Sequence, residues 1–207
     1  EDVLAIQTLL DEPKSPIKII AKIENQEGVD RIDEILDHAY GVMVARGALA
    51  VEIPYERIPG IQRMLISKCI ARRKPVIIAT QMLRSMVESP RPTRAEANDV
   101  ANAVLDGTDA VMLSEETASG AYPVKAVEYM ARIAENTEEN YPYDRPLNLT
   151  LEQGVSESVS FAACILADHL KASAIIATTK SGFTAMQISR CRSKTKIVAL
   201  PPDERAI

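Results

Sequence analysis

Apolar positions along the chain alternate between two spacings. Short runs rich in Ile and Val read as strands: "IKIIAKIE" (17–24), "GVMVAR" (41–46), "PVIIATQ" (75–81) and "DAVMLS" (109–114). Between and after them the apolar residues recur at helical spacing. "GVDRIDEILDHA" (28–39) places Val29, Ile32, Ile35 and Leu36 on one face, and "RIPGIQRMLISKCIARR" (57–73) does so with Ile61, Met64, Leu65 and Cys69. "TRAEANDVANAVLDG" (93–107) opens on a capping-box pattern, Thr93 to Glu96, and ends at Gly107; "PVKAVEYMARIAENTEEN" (123–140) is the fourth helix. Near-continuous apolar strands suit a parallel sheet covered on both faces. Four successive βα units therefore predict an α/β fold, either an open doubly wound sheet or a barrel. A (β/α)8 barrel needs eight strands, so this segment resembles half of one.

"YPYDRPLNLT" (141–150) breaks the rhythm with two prolines and no apolar periodicity. The expected organisation is a partial barrel domain at 1–142, a linker at 143–150 and a partial second α/β domain at 151–207. The last contains a helix at 151–170, a strand "SAIIATT" (173–179), a helix "FTAMQISRCR" (183–192) and a strand "TKIVALP" (195–201).

Composition narrows the function classes. The chain is 46% hydrophobic and 26% charged, as expected of a soluble globular protein. No apolar run approaches the roughly 18 residues of a membrane helix. Acids stand in residues 1–20 where a secretory signal would be basic, so a cytoplasmic location is expected. A net charge of −5 with only 4% aromatics argues against a nucleic-acid partner. Cys69, Cys164 and Cys191 are odd in number and far apart in sequence, so buried thiols are expected rather than a disulfide frame or a metal site. His38 and His169 each follow an Asp near a helix end, where a cation suits the terminal carbonyls.

The ends of the strands carry the candidate chemistry. Lys22 and Glu24 are two apart on the first strand and share a face. An ammonium there can hold a phosphoryl group and a carboxylate can ligate Mg²⁺ or Mn²⁺; a plain ion pair is the alternative. The second strand runs into Arg46-Gly47 in "VMVARGALAVEIP" (42–54), read as a tight, exposed turn whose amides could cradle an anion. Thr80 would turn a hydroxyl into the same mouth. Glu115, Glu116 and Thr117 read as a cap of the following helix. In the second domain, Thr179, Lys180, Ser181, Gly182 and Thr184 bring hydroxyls, an ammonium and amides to a helix start, forming either a phosphate pocket or a simple capped turn.

Taken in order, "KIIAKIENQEGVDRIDEIL", "GVMVARG", "KPVIIATQML", "PRPTRAEANDVANAVLDGTDAVMLSEETASGAYPVKAV" and "TTKSGFTA" strongly resemble pyruvate kinase over nearly the whole chain. The resemblance implies transfer of a phosphoryl group from phosphoenolpyruvate to ADP, giving pyruvate and ATP, with a divalent ion and usually K⁺. It implies a barrel site, a lid domain and a C-terminal regulatory α/β domain. It makes Lys22 the residue that steadies the phosphoryl group and enolate, Glu24 a ligand of Mg²⁺ or Mn²⁺, and Ala45, Arg46, Gly47 and Ala48 the loop on the substrate carboxylate. Thr80 becomes the threonine beside the carbon that is protonated. Thr179, Lys180, Ser181, Gly182 and Thr184 become the sugar-phosphate effector loop. The family assembles as tetramers, and the helix at 93–107 is the expected subunit contact.

Two departures stand out. The family pattern Arg-Gly-Asp-Leu-Gly is here Arg46-Gly47-Ala48-Leu49-Ala50, so the second carboxylate ligand of the metal is absent. The front half of the barrel, the lid, the K⁺ ligands and most nucleotide contacts have no counterpart. The expectation is a partial pyruvate kinase with weak or no turnover. The alternative is a non-catalytic relative acting as a binding or assembly partner. A third reading, a Mg²⁺-dependent lyase or aldolase, is disfavoured by the "PRPTRAE…PVKAV" signature at 90–127.

Overall fold

A computed structural model describes residues 1–141, 143 and 154–201. It divides into two compact units, Glu1–Tyr141 and Pro142–Ile207. The expected linker 143–150 lies, Tyr143 apart, outside the described residues, as do residues 151–153 of the expected helix and residues 202–207.

The first unit opens with helix α1 (Asp2–Asp11), which the periodicity reading left unassigned. Strand β1 follows at Ile20–Ile23, shorter than expected. Asn25 ends it: its side chain accepts a hydrogen bond from the Gly28 amide at 2.8 Å and starts α2 (Gln26–Asp30) ahead of the expected position. At Arg31 the backbone leaves helical geometry (φ −99°, ψ 19°), so the expected single helix is two, and α3 spans Ile32–His38. Strand β2 (Gly41–Ala45) runs directly into α4 (Arg46–Glu52), where an exposed turn was expected. Ala45, Leu49 and Ile53 recur every fourth residue and are all at most 2% exposed, which is why this segment coils. Then come α5 (Ile58–Ala71), β3 (Val76–Ala79), a 3₁₀ turn at Arg84–Val87, α6 (Arg94–Leu105), β4 (Ala110–Met112), α7 (Glu115–Ala118) and α8 (Pro123–Glu139).

The four strands form one parallel sheet in the order β1-β2-β3-β4. Register partners Ile23, Val44 and Ile78 are at most 1% exposed and face the helices. The neighbouring row of Lys22, Met43, Ile77 and Ala110 is part-buried or exposed. Among the described residues, helices thus cover one face of this sheet, not both. Leu36, Leu65, Ile66 and Val100 fill the layer beneath it. At roughly 25 cal/mol per Å² of apolar surface, each such side chain contributes about 2 kcal/mol.

The capping box of α6 forms as the sequence predicts. Thr93 Oγ1 accepts from the Glu96 amide at 3.2 Å, and Glu96 Oε2 accepts from the Thr93 amide at 2.8 Å. His38 and His169 each occupy the last turn of a helix, α3 and α9 (Val155–His169).

The second unit continues from α9 with β5 (Ala174–Thr178), α10 (Phe183–Ser189) and β6 (Lys196–Leu200). β5 and β6 pair in parallel, with Ile176 opposite Val198. Cys164, Ala177 and Ile188 form its core, with Ile175, Ala185, Cys191 and Ile197 packed against them. A buried ion pair joins Arg190 to Glu157 at 2.5 Å, both side chains 5% exposed.

Candidate active site

The C-terminal ends of β1, β2 and β3 lie side by side in the sheet, and they position the predicted residues. Lys22 on β1 and Glu24 just past its end bring Nζ and Oε2 to 2.6 Å, on the face away from Ile23, as their spacing predicts. Both side chains are about half exposed (54% and 46%), so the pair adds little to stability. Lys22 lies in register with Met43 of β2, whose strand ends at Ala45.

The start of α4 is tied to the end of β3. The Gly47 amide donates to Thr80 Oγ1 at 2.8 Å. A Cβ at Gly47 would stand 3.3 Å from that same oxygen, so a glycine allows the close approach. The amides of Arg46, Gly47 and Ala48 begin the helix, where it offers no acceptor of its own. That of Gly47 is already engaged by Thr80.

Thr80 is held in the left-handed region (φ 70°), and Gln81 follows it there (φ 55°). For a β-branched residue this costs on the order of 1–3 kcal/mol and persists only under external constraint. Arg46 supplies the constraint. The pattern reading put this arginine on an exposed turn, but it is only 9% exposed. Its Nη2 donates to the Thr80 carbonyl at 3.0 Å, and its Nη1 meets Asp99 Oδ1 at 2.7 Å and Gln62 Oε1 at 3.4 Å. One guanidinium thus ties α4, β3, α5 and α6 together. Asp99 carried no signal in the sequence, because its partner lies 53 residues away.

Glu116 also differs from expectation. It is buried at 1% exposure, and its side chain reaches beyond the start of its own helix. Its Oε1 accepts from the Leu83 amide at 3.0 Å and its Oε2 from the Ser114 amide at 2.8 Å, joining the loops after β3 and β4. Glu115 instead pairs with Arg84 at 3.1 Å.

These features can be set beside known proteins. The family profile described as "Pyruvate kinase, barrel domain" matches residues 1–127, and that described as "Pyruvate kinase, alpha/beta domain" matches residues 157–207. The chain belongs to the pyruvate kinase family. A pyruvate kinase of Clostridium acetobutylicum is 51% identical over 209 residues, covering 99% of this chain and 44% of the relative. One from Bacillus licheniformis is 52% identical over 203 residues, covering 96% of this chain and 35% of the relative. A crystal structure of a pyruvate kinase from Cryptosporidium parvum superposes with a TM-score of 0.90 at 43% identity, covering 98% of this chain and 43% of that one. The chain therefore spans less than half the length of these family members.

Within that family the metal question turns on oxygen donors. Divalent ions of the Mg²⁺ type require several oxygens and commonly take one or two carboxylates plus substrate phosphates. Of the two positions the resemblance assigns, Glu24 supplies a carboxylate and Ala48 supplies none. Among the described residues no group of three or more His, Cys, Asp or Glu converges on one point. The residues at these two positions thus offer one carboxylate where the resemblance implies two.

The predicted effector residues lie in the second unit. Thr179 donates its amide to the Leu200 carbonyl at 3.2 Å, Lys180 and Ser181 are exposed, and Gly182 (φ 79°) leads into α10 at a point where a Cβ would meet no atom within 4 Å. Thr184 sits in the first turn of α10, and no side chain caps that helix. Among the described residues no helix is long and apolar enough to cross a membrane.

Proposed function

We propose that this chain supplies the C-terminal strands of a phosphoryl-transfer site that moves phosphate from phosphoenolpyruvate to ADP. Lys22 would balance charge on the transferring phosphoryl group and the enolate, and Thr80 would stand beside the carbon that is protonated. The start of α4, from Ala45 to Ala48, would face the substrate carboxylate. In this division of labour residues 1–142 belong to the catalytic barrel and residues 151–207 to a regulatory domain, whose Thr179–Thr184 loop would take a sugar-phosphate effector. K⁺ and most nucleotide contacts would come from parts of the family fold that this chain does not contain, and assembly would follow the family's tetramer.

The observation that carries the reading is the junction of adjacent strand ends. The Lys22–Glu24 pair closes β1, while the Gly47 amide reaches Thr80 Oγ1 across β2 and β3. Phosphoryl transfer depends on positioning and on charge placed around the moving group rather than on covalent chemistry. An ammonium at the end of β1 and a hydroxyl pinned at the end of β3 are the kinds of group that task uses. Ala48 favours a second reading, a relative that keeps the fold and binds but does not turn over.

One substitution separates the two. Ala48→Asp adds a carboxylate that the first reading requires. It is expected to tighten Mn²⁺ binding in the presence of oxalate, a mimic of the pyruvate enolate, by about 10-fold or more. Calorimetry reads the binding, and a lactate-dehydrogenase-coupled assay with Mg²⁺ and K⁺ reads turnover, which should rise. Unchanged Mn²⁺ affinity and no turnover in either form would leave only the non-catalytic reading.

A further inference from the structure

Two of the three cysteines, Cys164 and Cys191, are distant in sequence but close in the fold. Cys164 lies on α9 and Cys191 two residues beyond the end of α10, and both pack into the same small core. The Ile188 carbonyl fixes their closeness. It accepts from the Cys164 thiol at 3.6 Å and from the Cys191 amide at 3.0 Å, so one oxygen holds the side chain of the first and the backbone of the second. The Cys191 thiol in turn lies 3.9 Å from the Gln187 carbonyl, on the same helical turn. Cys164 is 6% exposed, whereas Cys191 is part-exposed.

We propose that Cys164 and Cys191 form a peroxide-reactive dithiol that closes reversibly into a disulfide. Their asymmetry assigns the roles. The hydrogen bond between the thiols pushes Cys164 up, and burial and the charge of Cys191 add to this. The same bond pulls Cys191 down; burial opposes it and the nearby Arg190 charge assists. Cys191 is therefore the group poised to become a thiolate, and it is the one that solvent reaches. Its sulfur attacks one oxygen of a hydroperoxide. The O–O bond breaks, the departing oxygen leaves as hydroxide or alkoxide and takes up a proton, and Cys191 becomes a sulfenic acid. The Cys164 sulfur then attacks the Cys191 sulfur. The S–O bond breaks, an S–S bond forms, and the Cys164 proton leaves with the hydroxyl as water. Two thiols lose two electrons and the peroxide gains them. A small dithiol reverses the step by exchange.

The bond would fasten the far end of α10 to α9. Because Gly182 leads directly into α10, the Thr179–Thr184 loop would then run into a helix anchored at its other end. Cys69 is a built-in control: it is buried in the first unit, and burial and Asp109 push its thiol up to about 12.

The test is peroxide titration of the 207-residue chain, then alkylation, proteolysis and mass spectrometry. The expected result is loss of two of the three free thiols, a cross-linked pair of peptides containing Cys164 and Cys191, and an unmodified Cys69. Dithiothreitol should restore both thiols. Oxidation should raise the unfolding temperature of the native chain, and the reductant should reverse the rise. Cys164→Ser should stop the reaction at a Cys191 sulfenic acid that dimedone traps, whereas Cys191→Ser should leave Cys164 reduced. The unsubstituted chain decides the matter even if neither variant folds. No Cys164–Cys191 peptide, or oxidation of Cys69 at the same rate as Cys191, overturns the proposal.

Discussion

Arg46 and Glu116 are buried charges of the first unit, and each is matched by polar partners from distant segments. Removing one partner of such a set leaves the other uncompensated, which costs more than the set contributes. Arg46→Met should lower unfolding free energy by about 3 kcal/mol, measured by urea denaturation. It should also release Thr80 from its left-handed backbone. Glu116→Gln should cost about 1–3 kcal/mol, because one of two amides loses its charged acceptor. Glu96 sets an acid limb. Burial pulls its carboxyl up, but the Ser85 hydroxyl and amide and the Thr93 amide and hydroxyl outweigh it, and the group sits below its usual 4.5. A depressed carboxyl stabilises the fold above the unfolded value, and that share is lost as pH falls through the lower folded value. Denaturation midpoints below pH 4.5 should therefore fall less steeply in Glu96→Gln. The variant should also lose about 1 kcal/mol at neutral pH as its capping box weakens. Cys69 acts at the opposite end. Its raised thiol contributes stability fully present below pH 9 and lost as pH climbs towards about 12, so Cys69→Val should flatten that alkaline decline.

At the scale of elements, α4 shows how a short helix can be missed and still be legible. Its glycine and alanines read as a turn, yet Ala45, Leu49 and Ile53 already carry the helical period. The four strands and the helices α5, α6 and α8 lie close to where the apolar runs and the helical spacing put them, because burial selects apolar side chains along each element. Strand ends were less legible. β1 stops at Ile23 because Asn25 caps the next helix, a local hydrogen bond that hydrophobicity does not encode. Close packing between elements is also invisible in a hydropathy pattern. A Cβ on Gly41 would stand 2.7 Å from the Pro75 carbonyl oxygen, and one on Gly120 would stand 2.5 Å from the Glu116 carbonyl oxygen. Gly41→Ala and Gly120→Ala should each destabilise the first unit by about 1–3 kcal/mol, read as lower thermal midpoints.

At the scale of the molecule, the sheet of the first unit has one face under helices and a second row, Lys22–Met43–Ile77–Ala110, that is open or part-open. Leu9 and Ile17 are 68% and 65% exposed, and in the second unit Ile176 is 65% exposed on β5. Such surfaces favour association. The chain in isolation should therefore sediment as concentration-dependent oligomers, and analytical ultracentrifugation showing a monomer throughout would contradict this. The amino-acid sequence by itself determined the order and type of most elements, the parallel βα plan, the Thr93–Glu96 box and the shared face of Lys22 and Glu24. These rest on contacts between residues a few positions apart, where backbone geometry alone decides who can meet. Tertiary structure decided the rest: Arg46 turned inward onto Thr80 and Asp99, Glu116 spanning two loops, and Cys164 beside Cys191. Those pairs are joined across tens of residues, and only the packing of whole elements determines which distant side chains share a dry space.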